Sequence, residues 1–190
     1  MYWYRSRVLF VVALAGMLFT ISDLSSCKPD IKETGAALKY FDLKGYFERD
    51  SARLTKLNKP VFKTVVHNGV SQSKKVRITN WGLELSMFKL SDINKPAWRD
   101  SYSVVADSDL LIYRAKYPDL VTREIIIKQV KGKVKYIVIY NYSRYDKNYY
   151  LYMSHEKLSY FPDSLYLIDE MKAVRIIGIN RYQVKGVFNQ

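Results

Sequence analysis

Apolar and polar residues recur with a helical period in the stretch that begins at Leu38. The apolar residues share one face of a predicted helix: Tyr40, Leu43, Phe47, Leu54 and Leu57. The opposite face is charged: Lys44, Glu48, Arg49, Arg53 and Lys56. Proline disfavours helical geometry in the residue before it, so this amphipathic helix is predicted to end before Pro60. We expect its apolar stripe to pack on a sheet of the same chain.

A hairpin and a second helix are predicted next. Strands at 61–66 and 75–79 flank Asn68-Gly69, a dipeptide that supplies the positive φ of a tight turn. Asn80 is placed to cap a short helix across "NWGLELSMFKL". Apolar residues occupy much of its circumference, so we expect the helix to be largely buried: Trp81, Leu83, Leu85, Met87, Phe88 and Leu90.

From about Ser101 the pattern predicts a sequential antiparallel sheet. Lys131-Gly132 separates two strand-like runs, and further turns are predicted at Pro118-Asp119, "RYDKN", Pro162-Asp163, "DEM" and "GIN". No alternation of strands and helices follows, which argues against a nucleotide-binding α/β fold. The predicted class is therefore α+β. We expect one domain over residues 38–190, with both helices packed on a curved antiparallel β-meander that forms a half-barrel or an open barrel.

Residues 1–26 have the organisation of an export signal peptide. Arg5 and Arg7 precede a run of 14 apolar residues from Val8 to Ile21, and small serines follow. A helix that spans a bilayer needs about 20 apolar residues, so this run is short for a permanent span. An ordinary secretory signal with a free cysteine behind it, or an uncleaved anchor, is the alternative.

The last residues of this leader and the first residue after it carry a recognisable motif. Leu24, Ser25, Ser26 and Cys27 resemble the lipobox of bacterial lipoproteins, in which a branched apolar residue and two small residues precede a cysteine. Cys27 is the only cysteine in the chain. The resemblance implies cleavage before Cys27, a thioether from Cys27 to diacylglycerol, and further acylation by fatty acids such as palmitate. Two or three acyl chains would give stable membrane attachment.

Residues 27–37 are predicted to be a lipid-anchored tether, because they are polar and contain Pro29 and Gly35. An aspartate directly after the cysteine would resemble the inner-membrane retention signal of enteric bacteria, but the residue there is Lys28. The outer membrane of the cell envelope is therefore favoured, and periplasmic or surface-facing orientation is left open. The general run of the chain resembles uncharacterised lipoproteins of Bacteroidota in three stretches: "YFDLKGYFERDSARL", "DINKPAWRDSY" and "YFPDSLYLIDEMKAVRIIGINRYQVKGVF". That resemblance implies no known activity.

Charge makes an anionic partner the first to consider. The chain has 31 basic and 18 acidic residues and a formal charge of +13. Removal of residues 1–26 would leave 29 basic and 17 acidic side chains, hence +12. The excess favours an anionic glycan, lipid or protein as partner, or it serves as a solvated surface that keeps the protein soluble. Export argues against a nucleic acid.

The sequence gives little support to catalysis or to a cofactor. It contains no Gly-x-Ser-x-Gly elbow, P-loop or Gly-x-Gly-x-x-Gly motif. Its two histidines, His67 and His155, lack a second soft ligand at metal spacing, so we predict neither a metal site nor a catalytic residue. Asp169-Glu170 could in principle supply the two carboxylates that glycoside hydrolysis needs. The pair is interpreted as part of a turn, however, and adjacent residues in a strand would point to opposite faces of the sheet.

Tyrosines form the remaining unusual feature. Nine of the 17 tyrosines lie between Tyr136 and Tyr166. In "KYIVIYNY" the two-residue period of a strand places Ile137 and Ile139 on a core face, and the tyrosines on the other face. The candidate ligand contacts are therefore Tyr136, Tyr140, Tyr142, Lys133 and Lys135. They would form an aromatic and basic platform for a sugar or an anionic chain, unless the tyrosines only cover a half-buried sheet face.

The expected function is that of a lipid-anchored cell-envelope protein that acts as a binding or interaction module. One alternative is a carrier of an acyl chain, which would require a continuous apolar cavity between helices and sheet. A second alternative is an envelope hydrolase, which would require a cleft that gathers His155 with acidic residues.

Replacement of the lipobox cysteine tests the anchor. The Cys27→Ser chain should be released from membranes and should lose labelling by radioactive palmitate, because serine has no thiol to form the thioether. Membrane fractionation and autoradiography measure both effects. Unchanged labelling of the variant would contradict the lipid anchor.

Overall fold

A computed structural model describes residues 38–147, 150–175 and 177–188 of the chain. The predicted signal peptide, the lipobox residues Leu24, Ser25, Ser26 and Cys27, and the tether lie outside the described residues. The described residues belong to one compact unit, Leu38–Gln190. Every strand pairing and every buried residue given below lies within it, so this unit has a core of its own.

One antiparallel sheet dominates the described part of the chain. Its nine strands are β1 (Val61–His67), β2 (Val70–Val76), β3 (Tyr102–Asp107), β4 (Leu110–Ala115), β5 (Thr122–Val130), β6 (Lys133–Lys147), β7 (Tyr150–Phe161), β8 (Leu165–Val174) and β9 (Gly178–Val187). They lie in the order β2-β1-β9-β8-β7-β6-β5-β4-β3, so the sheet is open and its edges are β2 and β3. This architecture agrees with the α+β class and the antiparallel meander expected from the sequence.

The N-terminal hairpin of β1 and β2 joins the sheet by pairing with β9, the last strand in the sequence. β1 pairs with β9, in a register that sets Val65 opposite Val184, while β3 to β9 follow one another as a meander. The local turn signal at Asn68-Gly69 predicted the hairpin correctly, and both residues have positive φ. Its second strand begins at Val70 instead of Lys75, because the chain pairs again directly after the turn.

Helix α1 spans Leu43–Leu57, as its apolar stripe predicts. Asp42 caps it by accepting a hydrogen bond from the Gly45 amide at 2.8 Å, and the chain leaves the helix at Asn58 in a left-handed conformation. Leu43, Phe47 and Leu54 are buried. Leu57 is 47% exposed, so the buried stripe ends one turn before the helix does.

The predicted second helix is two short helices, α2 (Trp81–Glu84) and α3 (Ser86–Leu90), which meet at Leu85. Asn80 caps α2 by accepting a hydrogen bond from the Leu83 amide at 2.9 Å. Trp81, Leu85 and Phe88 are buried, as expected. The prediction of a largely buried helix was wrong for Leu83 and Leu90, which are 70% and 76% exposed because they lie opposite that narrow face.

No helix in the described ranges combines the length and the apolar character needed to cross a membrane. A short 3₁₀-helix, Pro96–Trp98, connects α3 to the meander.

The core lies between the helices and one face of the sheet. Phe47 of α1 and Phe88 of α3 contact Tyr160 of β7, with ring centroids 5.1 and 5.9 Å apart. Ile137 and Ile139 are fully buried on this helix-covered face, as the two-residue period predicts. Tyr166 lies so close over Gly186 that a Cβ there would stand 2.0 Å from its ring, so only glycine fits.

One of the predicted turns was wrong, and another lies directly before its predicted position. Asp169–Met171 lies in the middle of β8, and "GIN" at 178–180 begins β9. Asp169 and Glu170 remain in a strand because each finds a polar partner on its own face: Gln183 for Asp169 and Lys172 for Glu170, at 3.0 and 2.7 Å. The turns at Lys131-Gly132 and Pro162-Asp163 are present.

A buried polar contact connects α1 to the sheet. The hydroxyl of Tyr160 donates a hydrogen bond to Asp50, and Arg53 pairs with the same carboxylate at 2.5 Å. Arg53 also pairs with Asp163 in the β7–β8 turn at 2.5 Å. Burial, and then the charge of Asp50, raise the pKa of Tyr160, so its hydroxyl stays protonated and remains a donor at neutral pH.

Removal of this donor should destabilise the domain. We expect Tyr160→Phe to lower the free energy of unfolding by about 1–3 kcal/mol, because a buried carboxylate loses one of its hydrogen bonds. Urea denaturation measures the change, and Tyr145→Phe, at a tyrosine that is 56% exposed, is the matched control. Equal stability of the two variants would show that the contact does not hold α1 to the sheet.

Candidate functional site

The face of the sheet opposite the helices is uncovered in the described part of the chain, and we call it the bare face. Strand register places two adjacent rows of side chains on it, each across β6, β7, β8 and β9. The first row is Tyr142, His155, Met171 and Arg181; the second is Tyr140, Lys157, Asp169 and Gln183. These rows bring together residues that lie up to 43 positions apart in the sequence.

The two rows and Arg123 of β5 surround an open depression of about 690 Å³. Its lining residues are Arg123, Tyr140, Asn141, Tyr142, His155, Glu156, Lys157, Asp169, Met171 and Arg181. β6 extends beyond the start of β5, where the Tyr142 amide bonds to the Val121 carbonyl at 2.8 Å. Arg123, at the start of β5 and next to this bond, lines the depression on that side.

Tyr142 holds two groups against its ring. The His155 ring lies with its centroid 4.6 Å away, and the Arg123 guanidinium lies 5.3 Å from the Tyr142 centroid. Arg123 also donates to the carbonyls of Tyr117, at 3.0 Å, and Pro118. These contacts fix the guanidinium at the rim of the depression.

Tyr140 supports a second cation. Lys157 is its cross-strand neighbour, and the Lys157 ammonium lies 5.6 Å from the ring centroid. Tyr140 is only 37% exposed. Because cations lie against both tyrosine rings, the tyrosines position positive charge, and little free ring surface remains for a sugar to stack on.

The depression has more positive than negative charge. Arg123, Lys157 and Arg181 face a single carboxylate on the bare face, Asp169, which accepts a hydrogen bond from Gln183 at 3.0 Å. Within the described residues, neither Lys157 nor Arg181 forms a salt bridge. Their charges are therefore available to an anion.

Glu156 is the second acid of the lining, and its carboxylate lies on the helix-covered face of the sheet. Its carboxylate accepts from the Asn141 side chain at 3.2 Å. Asn141 in turn donates to the Ser91 hydroxyl, directly after α3, at 2.9 Å. These bonds lie on the helix-covered side of the sheet. With Glu156 counted, the lining still has three cations and two carboxylates.

The structure brings together only part of the candidate ligand contacts. Tyr140 and Tyr142 line the depression. Tyr136 lies further along β6, beside Phe161, with ring centroids 5.9 Å apart. Lys133 and Lys135 are exposed near the β5–β6 turn, and neither lines the depression. Their nearness to the tyrosines in sequence was misleading.

Sequence reasoning missed most of the depression. Arg123, Lys157, Asp169, Met171 and Arg181 were not candidates, and His155 was considered only as a base for the hydrolase alternative, whose cleft of His155 with acidic residues is present here in Glu156 and Asp169. The available signal was the two-residue period of each strand combined with the turn positions, which together fix the register. The incorrect turn at Asp169–Met171 removed that signal for β8.

Other hollows are smaller or more polar. A groove of about 550 Å³ between α2–α3 and the sheet contains the Lys63–Glu84 salt bridge, at 2.7 Å, and the exposed Leu83. A cavity of about 180 Å³ lies beside Leu54, Trp81 and Phe188. Ligand pockets usually measure about 300–1,000 Å³, so this cavity is small for a ligand.

Within the described ranges, no group of three or more His, Cys, Asp or Glu side chains is arranged to hold a metal ion. His67 is exposed at the β1–β2 turn and forms a hydrogen bond of 2.7 Å with Asn180. His155 lies in the depression, beside Tyr142.

Comparison with known proteins identifies no relative. The sequence matches no protein-family model, and searches of curated proteins and of solved structures found no similar protein. The resemblance to Bacteroidota lipoproteins therefore stays a prediction, and the function proposed below depends on the residues of this chain.

Proposed function

We propose that the protein is a lipid-anchored component of the cell envelope, attached through Cys27, whose domain binds an anionic group in the depression of the bare face. The open sheet would curve around the helices as a half-barrel, so the bare face would be its outer surface. The ligand class that fits is an envelope glycan, lipid or protein with phosphate or carboxylate groups.

The charge of the depression is the observation that carries this proposal. Three cations, Arg123, Lys157 and Arg181, line the depression together with two carboxylates, Asp169 and Glu156, each of which already accepts a hydrogen bond. A concave surface with one predominant sign of charge attracts counter-ions, and guanidinium groups bind phosphate and carboxylate through paired N–H donors. The aromatic rings hold two of these cations in place, which lowers the entropy lost on binding.

The size and openness of the depression favour a chemical group at the end or side of a larger molecule. A volume of about 690 Å³ lies within the usual range for ligand sites, about 300–1,000 Å³. The depression is open along the sheet, so a chain can continue beyond it. Such a site suits one charged unit of an extended glycan or a lipid headgroup.

Observations on the other two candidate functions are less favourable. Between helices and sheet, Phe47 and Phe88 lie with ring centroids 4.9 Å apart, the groove of about 550 Å³ contains the charged Lys63–Glu84 pair, and the other cavity is only about 180 Å³. A hydrolase would use His155 and Asp169, which are diagonal neighbours in the depression. None of the described residues that line it is a serine, threonine or cysteine nucleophile.

Two charge-matched double variants test the anion site. We expect Lys157→Gln with Arg181→Gln to raise the Kd for inorganic pyrophosphate roughly tenfold or more, because hydrogen bonds to charged groups contribute about 1.5–3 kcal/mol each. Isothermal titration calorimetry at low ionic strength measures the Kd. Lys133→Gln with Lys135→Gln removes the same charge outside the depression and should change the Kd little.

Equal Kd values for the two double variants would contradict the proposal. Such a result would mean that pyrophosphate responds to the overall charge of the domain and not to the depression. Thermal melting of both variants checks that each remains folded.

A further inference from the structure

Exposed apolar side chains lie at one end of the sheet, where several strands end. β1, β4, β6 and β8 run in the same direction, because an even number of antiparallel steps separates them, so all four strands end at one end of the sheet, here called the hairpin end. Large apolar residues exposed at or near these strand ends include Val70 at 67%, Tyr117 at 54%, Tyr145 at 56%, Ile177 at 83% and Ile179 at 63%. Ile177 is the most exposed large apolar side chain among the described residues.

These side chains have no evident role in folding. Turns are normally built from glycine, proline and small polar residues, and Gly178, with a φ of 91°, already supplies the geometry of the β8–β9 turn. Ile177 and Ile179, on either side of Gly178, are largely in solvent, where an isoleucine gains nothing from burial. A cluster of exposed apolar residues on a soluble domain typically marks a surface for contact with another phase or molecule.

Basic residues flank the two isoleucines. Arg175 precedes them and Arg181 follows them, and both arginines are exposed. Arg181 also lines the depression, so the exposed isoleucines and the proposed anion site are continuous along β9. Isoleucines flanked by arginines are the combination found in segments that lie at the boundary between lipid headgroups and acyl chains.

The chain enters the domain at the same end. Lys39 pairs with Asp100, directly before β3. β3 begins towards the hairpin end, because it is antiparallel to β4, which runs in the direction of β6. Only ten residues separate Cys27 from Leu38, and ten residues of extended chain span at most about 35 Å. An acyl group on Cys27 would therefore hold this end of the domain near the bilayer.

We propose that the hairpin end docks on an anionic phospholipid surface, with Ile177 and Ile179 inserted at the headgroup–acyl boundary and Arg175 and Arg181 on lipid phosphates. The docking depends on the proposed lipid anchor for its orientation, and the residues that make it are separate from the lipobox. A second copy of the chain is a poor occupant, since residues 38–190 carry 27 basic and 15 acidic side chains and two copies would repel each other.

A unique cysteine label tests the insertion. The chain from Lys28 to Gln190 contains the whole described domain and no cysteine, so Ile177→Cys accepts a single environment-sensitive fluorophore. We expect a blue shift and a rise in emission with vesicles of phosphatidylcholine and phosphatidylglycerol, and a much smaller change with phosphatidylcholine alone. Leu83→Cys is the matched control, because Leu83 is 70% exposed but lies on α2.

A second pair of variants measures the contribution of the isoleucines to binding. We expect Ile177→Ser with Ile179→Ser to reduce co-sedimentation with the anionic vesicles roughly tenfold, because burial of even one such side chain gives that ratio. Leu83→Ser with Leu90→Ser should leave co-sedimentation unchanged.

Three results would overturn the docking proposal: equal fluorescence changes at positions 177 and 83, equal responses to neutral and anionic vesicles, or unchanged co-sedimentation of the isoleucine variant. None of them depends on Cys27 or on pyrophosphate. Failure of the docking would therefore leave the anchor and the anion site to their own tests.

Discussion

The contact of Phe47 and Phe88 with Tyr160 determines which face of the sheet is covered, and the rest of the structure depends on it. Side chains alternate along every strand, so once Tyr160 points towards the helices, Lys157 and His155 of β7 and their partners on neighbouring strands point away from that layer. The bond from Tyr160 to Asp50 reinforces this choice, because a buried carboxylate needs its donor. A shift of β7 by one residue would bury Lys157 and expose Tyr160.

The two faces of one sheet consequently serve different purposes. The helix-covered face contains the isoleucines and aromatic rings that stabilise the fold. The bare face contributes less to the core and holds Arg123, Lys157 and Arg181, whose mutual repulsion would be unfavourable in a buried position. The long strands β6 to β9 extend this face towards the hairpin end, so the proposed anion site and the exposed isoleucines lie on one continuous surface. Attachment at Cys27 would give that surface a fixed direction relative to the membrane.

The sequence allowed a good prediction of local structure and a poor one of the site. Periodicity correctly predicted that α1 is a helix, that Ile137 and Ile139 are buried, and that Tyr140 and Tyr142 lie on the opposite face of the sheet. The expected meander correctly paired neighbouring strands from β3 to β9, but periodicity did not show that β1 pairs with β9, which lies far from it in the sequence, and it did not fix the register of β7 against β8. A polar pair, Asp169-Glu170, suggested a turn because its partners on β9 and β8 were not visible in the sequence. The residues of the depression are brought together mainly by the register between strands, so Arg181 and Lys157 could not be found from their neighbours in the sequence.

The most direct test of the division between the two faces is to map an anion onto the domain by NMR. In a titration of the chain from Lys28 with pyrophosphate, the largest shifts of backbone amide resonances should fall on residues of the two rows, especially Tyr142, His155, Lys157 and Arg181. Residues of α1 and α3 should change little. Shifts concentrated on the helices, or spread evenly over all exposed lysines and arginines, would contradict a specific anion site on the bare face.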